Sequence, residues 1–489
     1  RLIMNIEQLF APTTADKAYT QKDQLVISLI CRMDSYKFTH HLAYPAGIEA
    51  MTSYGECRVS PEQVIVPFGL QISLKKYFTQ SITLADIDLA ESFSIKHFGR
   101  KLFARAAWEK VVNEFDGKLP LIIRSVREGT LLRGGVPLYT VTCLDSDLFW
   151  MSAAFETLIQ RAVWYPTTIA TTGYEIKKTI EAYYDQTAAD KGLLPFSLHD
   201  FGGRGVSSPE TAEIGGSAHL VNFMGSDNVE GILNANFYYN EDMSGFSVYA
   251  TEHAIQCSFG SGEADALRYL RQQLANAVEG SVVSIVIDGY DMYREARLLC
   301  TVMKDEIIAS KAKVVFRPDS GDMMHNVPWL LALQAEHFGT SVTDKGYTTI
   351  NHVGVIQGDG ICAETLTELL DHVVNDLHYS ADVLIFGSGG ALLQKVNRDT
   401  FRFAQKACAI LVGGEWKGIS KDPITDHGKK SKEGILTTAR NRVTGEIVAA
   451  RLDQGGLTGD LEDIMQLVYH TGTLYNEISL SEVRDNIKE

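Results

Sequence analysis

The chain has 489 residues with 61 acidic and 45 basic side chains, a formal net charge of −16. That balance excludes general nucleic-acid binding, which needs clustered positive charge facing phosphates. With 45% hydrophobic and 22% charged residues the chain reads as a soluble globular protein of two or three domains. No apolar run approaches the roughly 20 residues that span a bilayer, and residues 1–8 lack the apolar segment of a signal peptide, so a cytosolic protein is expected. Met4 follows Arg1-Leu2-Ile3 and is expected to be the natural start. The seven cysteines are scattered, with no Cys-x-x-Cys pair, and read as reduced small hydrophobes. The 13 histidines show no zinc-ligand spacing.

From about residue 195 onward, short β-branched runs end repeatedly in polar or glycine-rich clusters. In chain order these are FSLHDFGGRG (196–205), LVNFMGSD (220–227), FSVYATEH (246–253), SVVSIVIDGYD (281–291), KVVFRPDSGD (313–322), VGVIQGDG (353–360) and VLIFGSGG (383–390). Their ends lie 25 to 40 residues apart, near the roughly 30 residues of a strand plus crossover helix. Residues 363–377, AETLTELLDHVVNDL, carry one such helical pattern. Seven units predict an incomplete barrel of parallel strands, with the active site in the loops after the strands and phosphate after the last two. Those loops are QGDG (357–360) and GSGG (387–390), whose glycine amides could cradle phosphate oxygens. The alternative for Gly389-Gly390 is a plain tight turn. Neither loop fits a Walker or G-x-G-x-x-G pattern.

Taken together, DSYKFTHHLAYP (34–45), HDFGGRGVSSPETA (199–212), Glu252-His253, RPDSG (317–321), QGDG, FGSGGALLQK (386–395) and KDP (421–423) resemble, in the same order, the nicotinamide phosphoribosyltransferase group of type II phosphoribosyltransferases. The resemblance implies an α/β fold: an incomplete TIM-like barrel joined to a mixed sheet domain built from both chain ends. The expected divisions are 4–165, 166–405 and 406–489, the last packing back on the first. It also implies a homodimer with shared active sites and a reaction of nicotinamide with phosphoribosyl pyrophosphate, using Mg²⁺ and assisted by ATP.

On that resemblance, Phe201 and the partner's Tyr36 would sandwich the flat base. Asp227 would accept a hydrogen bond from the carboxamide and repel nicotinate, although an Asp before VEGIL also reads as a helix N-cap. Ser247 and Ser284 join the substrate set. The phosphorylated substrate would meet Arg58, Arg204, Arg317 and Arg398, since a guanidinium donates two hydrogen bonds to two oxygens. Asp319 would hold the ribose hydroxyls or the Mg²⁺ shell, and Gly358, Asp359, Gly389 and Gly390 the ribose and 5′-phosphate. His253, read as the end of a strand, would be phosphorylated by ATP with Asp288 fixing its tautomer. Lys406, Lys421 and Lys429 would lie near the polyphosphate, each with the alternative of an ordinary solvated lysine. Gly203, where the animal enzymes carry an aromatic residue, and Asp322, where they carry Asn, depart from the pattern; the first is expected to widen the mouth of the site or loosen the arrangement of Phe201 and Arg204, and the second to add negative charge near a phosphate. The rival readings are a nicotinate-specific enzyme and a non-catalytic binding protein of the same fold.

Overall fold

The computed structural model describes residues 25–426 and 429–488; the expected start at Met4 lies outside them. All seven apolar runs become parallel strands of one sheet, in the spatial order Gly225–Ser226, Leu198–Asp200, Leu384–Ser388, Val353–Gln357, Lys313–Arg317, Val282–Val286, Tyr249–Ala250. The two outer strands approach each other through a single parallel bridge, Gly225 to Phe246, so the sheet curls into a ring with one thin seam. Central strands such as Val282–Val286 are buried along nearly their whole length, as expected where helices cover a parallel sheet. The helical pattern at 363–377 forms the helix Ala363–Asp371 and runs on into one wider turn, His372–Asp376.

A second, antiparallel sheet has the order Glu415–Gly418, Phe403–Val412, Ile48–Cys57, Pro137–Cys143, Ile122–Val126, Met465–His470, Thr473–Leu474. The strand Ile48–Cys57 pairs with Phe403–Val412 on one side and Pro137–Cys143 on the other, which places Tyr54 opposite both Lys406 and Thr140. Chain ends far apart in sequence therefore share one sheet.

The helix Glu156–Thr187 joins the two layers. Its residues Leu158, Ile159, Ala162 and Val163 belong to the core under the antiparallel sheet, whereas Ile169, Ala170, Ile176 and Ile180 belong to the barrel core. Pro166 sits where one core gives way to the other, and a Cβ on Gly69 would lie 2.3 Å from its ring. The expected divisions at 165/166 and 405/406 thus fall inside continuous elements, this helix and the strand Phe403–Val412. All seven cysteines are free. Among the described residues no helix is long and apolar enough to cross a membrane.

Candidate active site

Side chains alternate along the barrel strands, so Val282 and Ser284, then Lys313, Val315 and Arg317, point to the same interior. With Phe201, Asp227, Ser247, Ile356 and Ile385 they line a cavity of about 270 Å³. Phe201 lies directly beyond the strand Leu198–Asp200, and its backbone N–H donates to Ser388 O at 2.9 Å. Its ring occupies the space that Gly387 leaves: a Cβ there would lie 1.9 Å from Phe201 Cε2. Glycine in the GSGG loop is therefore needed for the aromatic wall, independently of any phosphate.

Asp200 is fully buried and ties the neighbouring loops, accepting from Gly202 N at 2.7 Å and from Asn228 Nδ2 at 3.0 Å. Asn228, not Asp227, caps the helix Val229–Tyr238, accepting from Gly231 N at 3.1 Å. Asp227 is consequently free of the capping role open to it in the sequence. It stands at the cavity wall and accepts a hydrogen bond from Ser247 Oγ. A Cβ on Gly203 would lie 3.4 Å from Asn228, at ordinary contact, so the backbone there does not itself require glycine.

At the mouth, Arg317 is mostly buried, and its Nε has no hydrogen-bond partner among the described residues. Arg204, in the turn Gly203–Gly205, is exposed at the same end of the barrel. Gly205 and Gly390 meet backbone to backbone, with a Cβ on Gly205 only 3.2 Å from Gly390 Cα. The N–H groups of Gly389 and Gly390 find no backbone partner among the described residues. Gly358 packs against both Phe201 and Asp319, and the Asp359 carbonyl is held by Gln357 Nε2 at 2.9 Å.

His253 is not a strand end. The strand stops at Ala250, and His253 opens the helix His253–Phe259 because Glu252 already has extended backbone outside it. Its Nε2 lies 2.8 Å from Asp288 Oδ1, and its Nδ1 lies 4.0 Å from Asp319 Oδ2. Asp288 is itself fixed, since its Oδ2 accepts from Asp319 N at 3.0 Å and from Ser320 Oγ at 2.5 Å. An ionised Asp288 accepts only, so the hydrogen-bond network assigns a proton to Nε2 and leaves Nδ1 with its lone pair in the neutral ring. Asp322 caps the helix Met323–Phe338, accepting from Met324 N at 2.9 Å.

Arg58, Arg398, Lys406, Lys421 and Lys429 do not join this cavity within one chain. They line a separate one of about 430 Å³ beside the antiparallel sheet, together with Glu156, Asp399 and Arg402. Burial holds the Lys406 ammonium below its usual range, Glu156 opposes that shift, and Arg58, Lys421 and Lys37 reinforce it. Tyr36 lies in the turn Ser35–Leu42 and is 53% exposed. Its neighbour Lys37 reaches Glu156 at 3.1 Å, which places Tyr36 beside the basic cavity and not beside Phe201.

Two polar cavity residues escaped the sequence reading although alternation from Phe201 and Arg317 would have found them. His199 stands two residues before Phe201; burial pushes it down to about 4, against Asp227, so the imidazole is neutral. Lys313 stands four residues before Arg317 and is likewise held below its usual range by burial. Among the described residues no three His, Cys, Asp or Glu side chains gather as a metal-ligand group. The Asp319 carboxylate accepts no hydrogen bond from the described residues, and could meet a cation arriving with the substrate.

The chain matches the model of the nicotinate phosphoribosyltransferase (NAPRTase) family over residues 196–456, and that of the nicotinamide phosphoribosyltransferase N-terminal domain over residues 28–123. It is 43% identical to a nicotinamide phosphoribosyltransferase of Xanthomonas campestris pv. campestris, over 94% of this chain and 97% of that one. It is 29% identical to a nicotinamide phosphoribosyltransferase of Acinetobacter baylyi, over 94% and 96%. The solved human nicotinic acid phosphoribosyltransferase shares the fold at a TM-score of 0.56 and 16% identity, covering 93% of this chain and 92% of that one. A barrel mouth with aromatic, carboxylate and guanidinium groups at its strand ends, matched over half the chain by one family model, makes this protein a phosphoribosyltransferase of the nicotinate phosphoribosyltransferase family.

Proposed function

We propose that the chain transfers the phosphoribosyl group of phosphoribosyl pyrophosphate to nicotinamide, giving nicotinamide mononucleotide and pyrophosphate in cytoplasmic pyridine-nucleotide salvage. Asp227 is the observation that carries this reading. Relieved of capping by Asn228, it turns a carboxylate toward the cavity that holds Phe201. A carboxamide NH₂ can donate to that oxygen, whereas the carboxylate of nicotinate would be repelled by it. Neutral His199 adds no positive charge that would offset the repulsion. The relatives carrying the nicotinamide name agree with this choice.

The pyridine nitrogen has a free lone pair, so attack on C1′ needs no general base. As the C1′–oxygen bond breaks, pyrophosphate takes the electron pair and the base becomes a pyridinium. The protein must hold the ring against C1′ and neutralise the leaving group. Phe201 does the first, and Arg317 and Arg204 contribute to the second. Mg²⁺ arriving with pyrophosphate would supply further charge neutralisation, and the Asp319 carboxylate would be the group to hold it.

ATP would act at His253. Nδ1 attacks the γ-phosphorus, the bond to the β–γ bridging oxygen breaks, and ADP leaves with the electron pair. Asp288 on Nε2 stabilises the positive ring that results. A homodimer completes the site by bringing the partner's Tyr36 and basic cavity to the barrel mouth. Val229, Leu233 and Phe237, four residues apart on one helix and 61–74% exposed, form an apolar face suited to that assembly.

The test is a product assay with nicotinamide and nicotinate side by side, each with and without ATP. Nicotinamide mononucleotide formed in preference, and faster with ATP, is the expected result. Preference for nicotinate would favour the nicotinate-specific reading, and no product from either base would favour a binding protein.

A further inference from the structure

The helix His253–Phe259 grips the turn Asp288–Gly289 at two points. His253 bonds the Asp288 side chain, and Gln256, one turn further on, accepts a hydrogen bond from Gly289 N through Oε1 at 2.8 Å. With Oε1 committed to a backbone donor, the Gln256 amide is oriented, and its Nε2 donates to Glu295 Oε2 at 2.5 Å. Gln256 and Glu295 are 2% and 1% exposed. Gly289 makes room for this contact, since a Cβ there would lie 2.3 Å from Gln256 Oε1. Burial pushes the Glu295 carboxyl up to about 7, against the pull of Gln256 and Arg294. Keeping a carboxylate in the interior costs free energy that packing alone would not require.

We infer that Gln256 and Glu295 are positioning residues for His253, setting the distance between the helix that carries it and the Asp288 turn that fixes its tautomer. Glu295 orients Gln256, Gln256 holds Gly289, and the His253–Asp288 bond is kept at its length. Neither residue lines the substrate cavity, so neither touches the reacting atoms. The inference rests on His253 being the group that ATP phosphorylates.

The experiment uses the full chain and reads two rates in each variant: phosphoryl transfer from γ-labelled ATP to the protein, and transferase turnover without ATP. Glu295→Leu should lower the phosphorylation rate about 10-fold or more with the ATP KM and the ATP-free transferase rate within about 2-fold of the parent. Glu295→Gln, which keeps an acceptor for Gln256, should recover most of the rate. The double variant Gln256→Leu/Glu295→Leu removes both members of the Gln256–Glu295 bond together, takes the acceptor from Gly289 N, and should also lose phosphorylation selectively. Phosphorylation at the parent rate in the double variant overturns the inference. So does an equal fall in both rates, which would mark a general packing role. His253→Ala separates the underlying reading: if ATP still labels and stimulates that variant, the phosphohistidine assignment fails and this inference fails with it.

Discussion

The barrel mouth and the basic cavity differ in how they are built. The mouth is assembled from successive strand ends, and its walls are largely apolar, with Asp227, Lys313 and Arg317 as the ionisable side chains beside His199. The basic cavity draws Arg58 from the end of one strand, Glu156 from the long helix and Arg398 to Lys429 from the returning C-terminal part of the chain. On the proposed function, the first would take the flat base and the second the polyphosphate. A transferase for a base and a phosphorylated sugar needs both, and one subunit holds them in separate cavities.

The largest effect expected at the mouth comes from Gly387→Ala. Its Cβ would fall 1.9 Å from the Phe201 ring, so the ring must leave its place. We predict that kcat/KM for the base falls on the order of 100-fold, about 3 kcal/mol, in steady-state kinetics at saturating phosphoribosyl pyrophosphate. An unchanged value would remove Phe201 from the base site.

Asp227→Asn is expected to shift discrimination between nicotinamide and nicotinate by about 1–3 kcal/mol toward nicotinate, the size of one hydrogen bond to a charged group. The measurement is the ratio of the two kcat/KM values. No change would assign selectivity elsewhere in the cavity.

A smaller effect concerns stability. His199 sits at about 4 in the folded protein against 6.5 for a free imidazole. Between those values the unfolded chain binds a proton that the folded protein resists, so folding stability is lost as pH falls from about 6.5 toward 4. The loss is up to about 3 kcal/mol. Denaturant titrations of the parent and His199→Gln should therefore converge on acidification. Parallel curves would show that His199 is not held neutral.

The barrel was legible because apolar runs bounded by polar clusters report parallel strands directly, and each functional residue at the mouth lies within a few residues of such a run. Alternation also carried information that motif reading passed over, as His199 and Lys313 show. The antiparallel sheet was not legible from patterning, because the pairing of Ile48–Cys57 with Phe403–Val412 joins segments some 350 residues apart and no local signal encodes it. Local competition decided two details. Asn228 took the cap that Asp227 could have filled, and the chain left its strand at Ala250 and entered a helix at His253, where the run FSVYATEH reads as strand to its end.

That the two cavities are halves of one site is tested most directly by mixing Tyr36→Ala and Phe201→Ala under conditions that exchange subunits. Each variant alone lacks one ring in every pocket, whereas a mixed dimer has one pocket with both rings intact and one with neither. The account predicts that activity returns toward half of the parent value per mixed dimer, in proportion to the mixed dimer formed. No recovery, with exchange verified independently by native mass spectrometry, would contradict it and place both halves of the site within a single subunit.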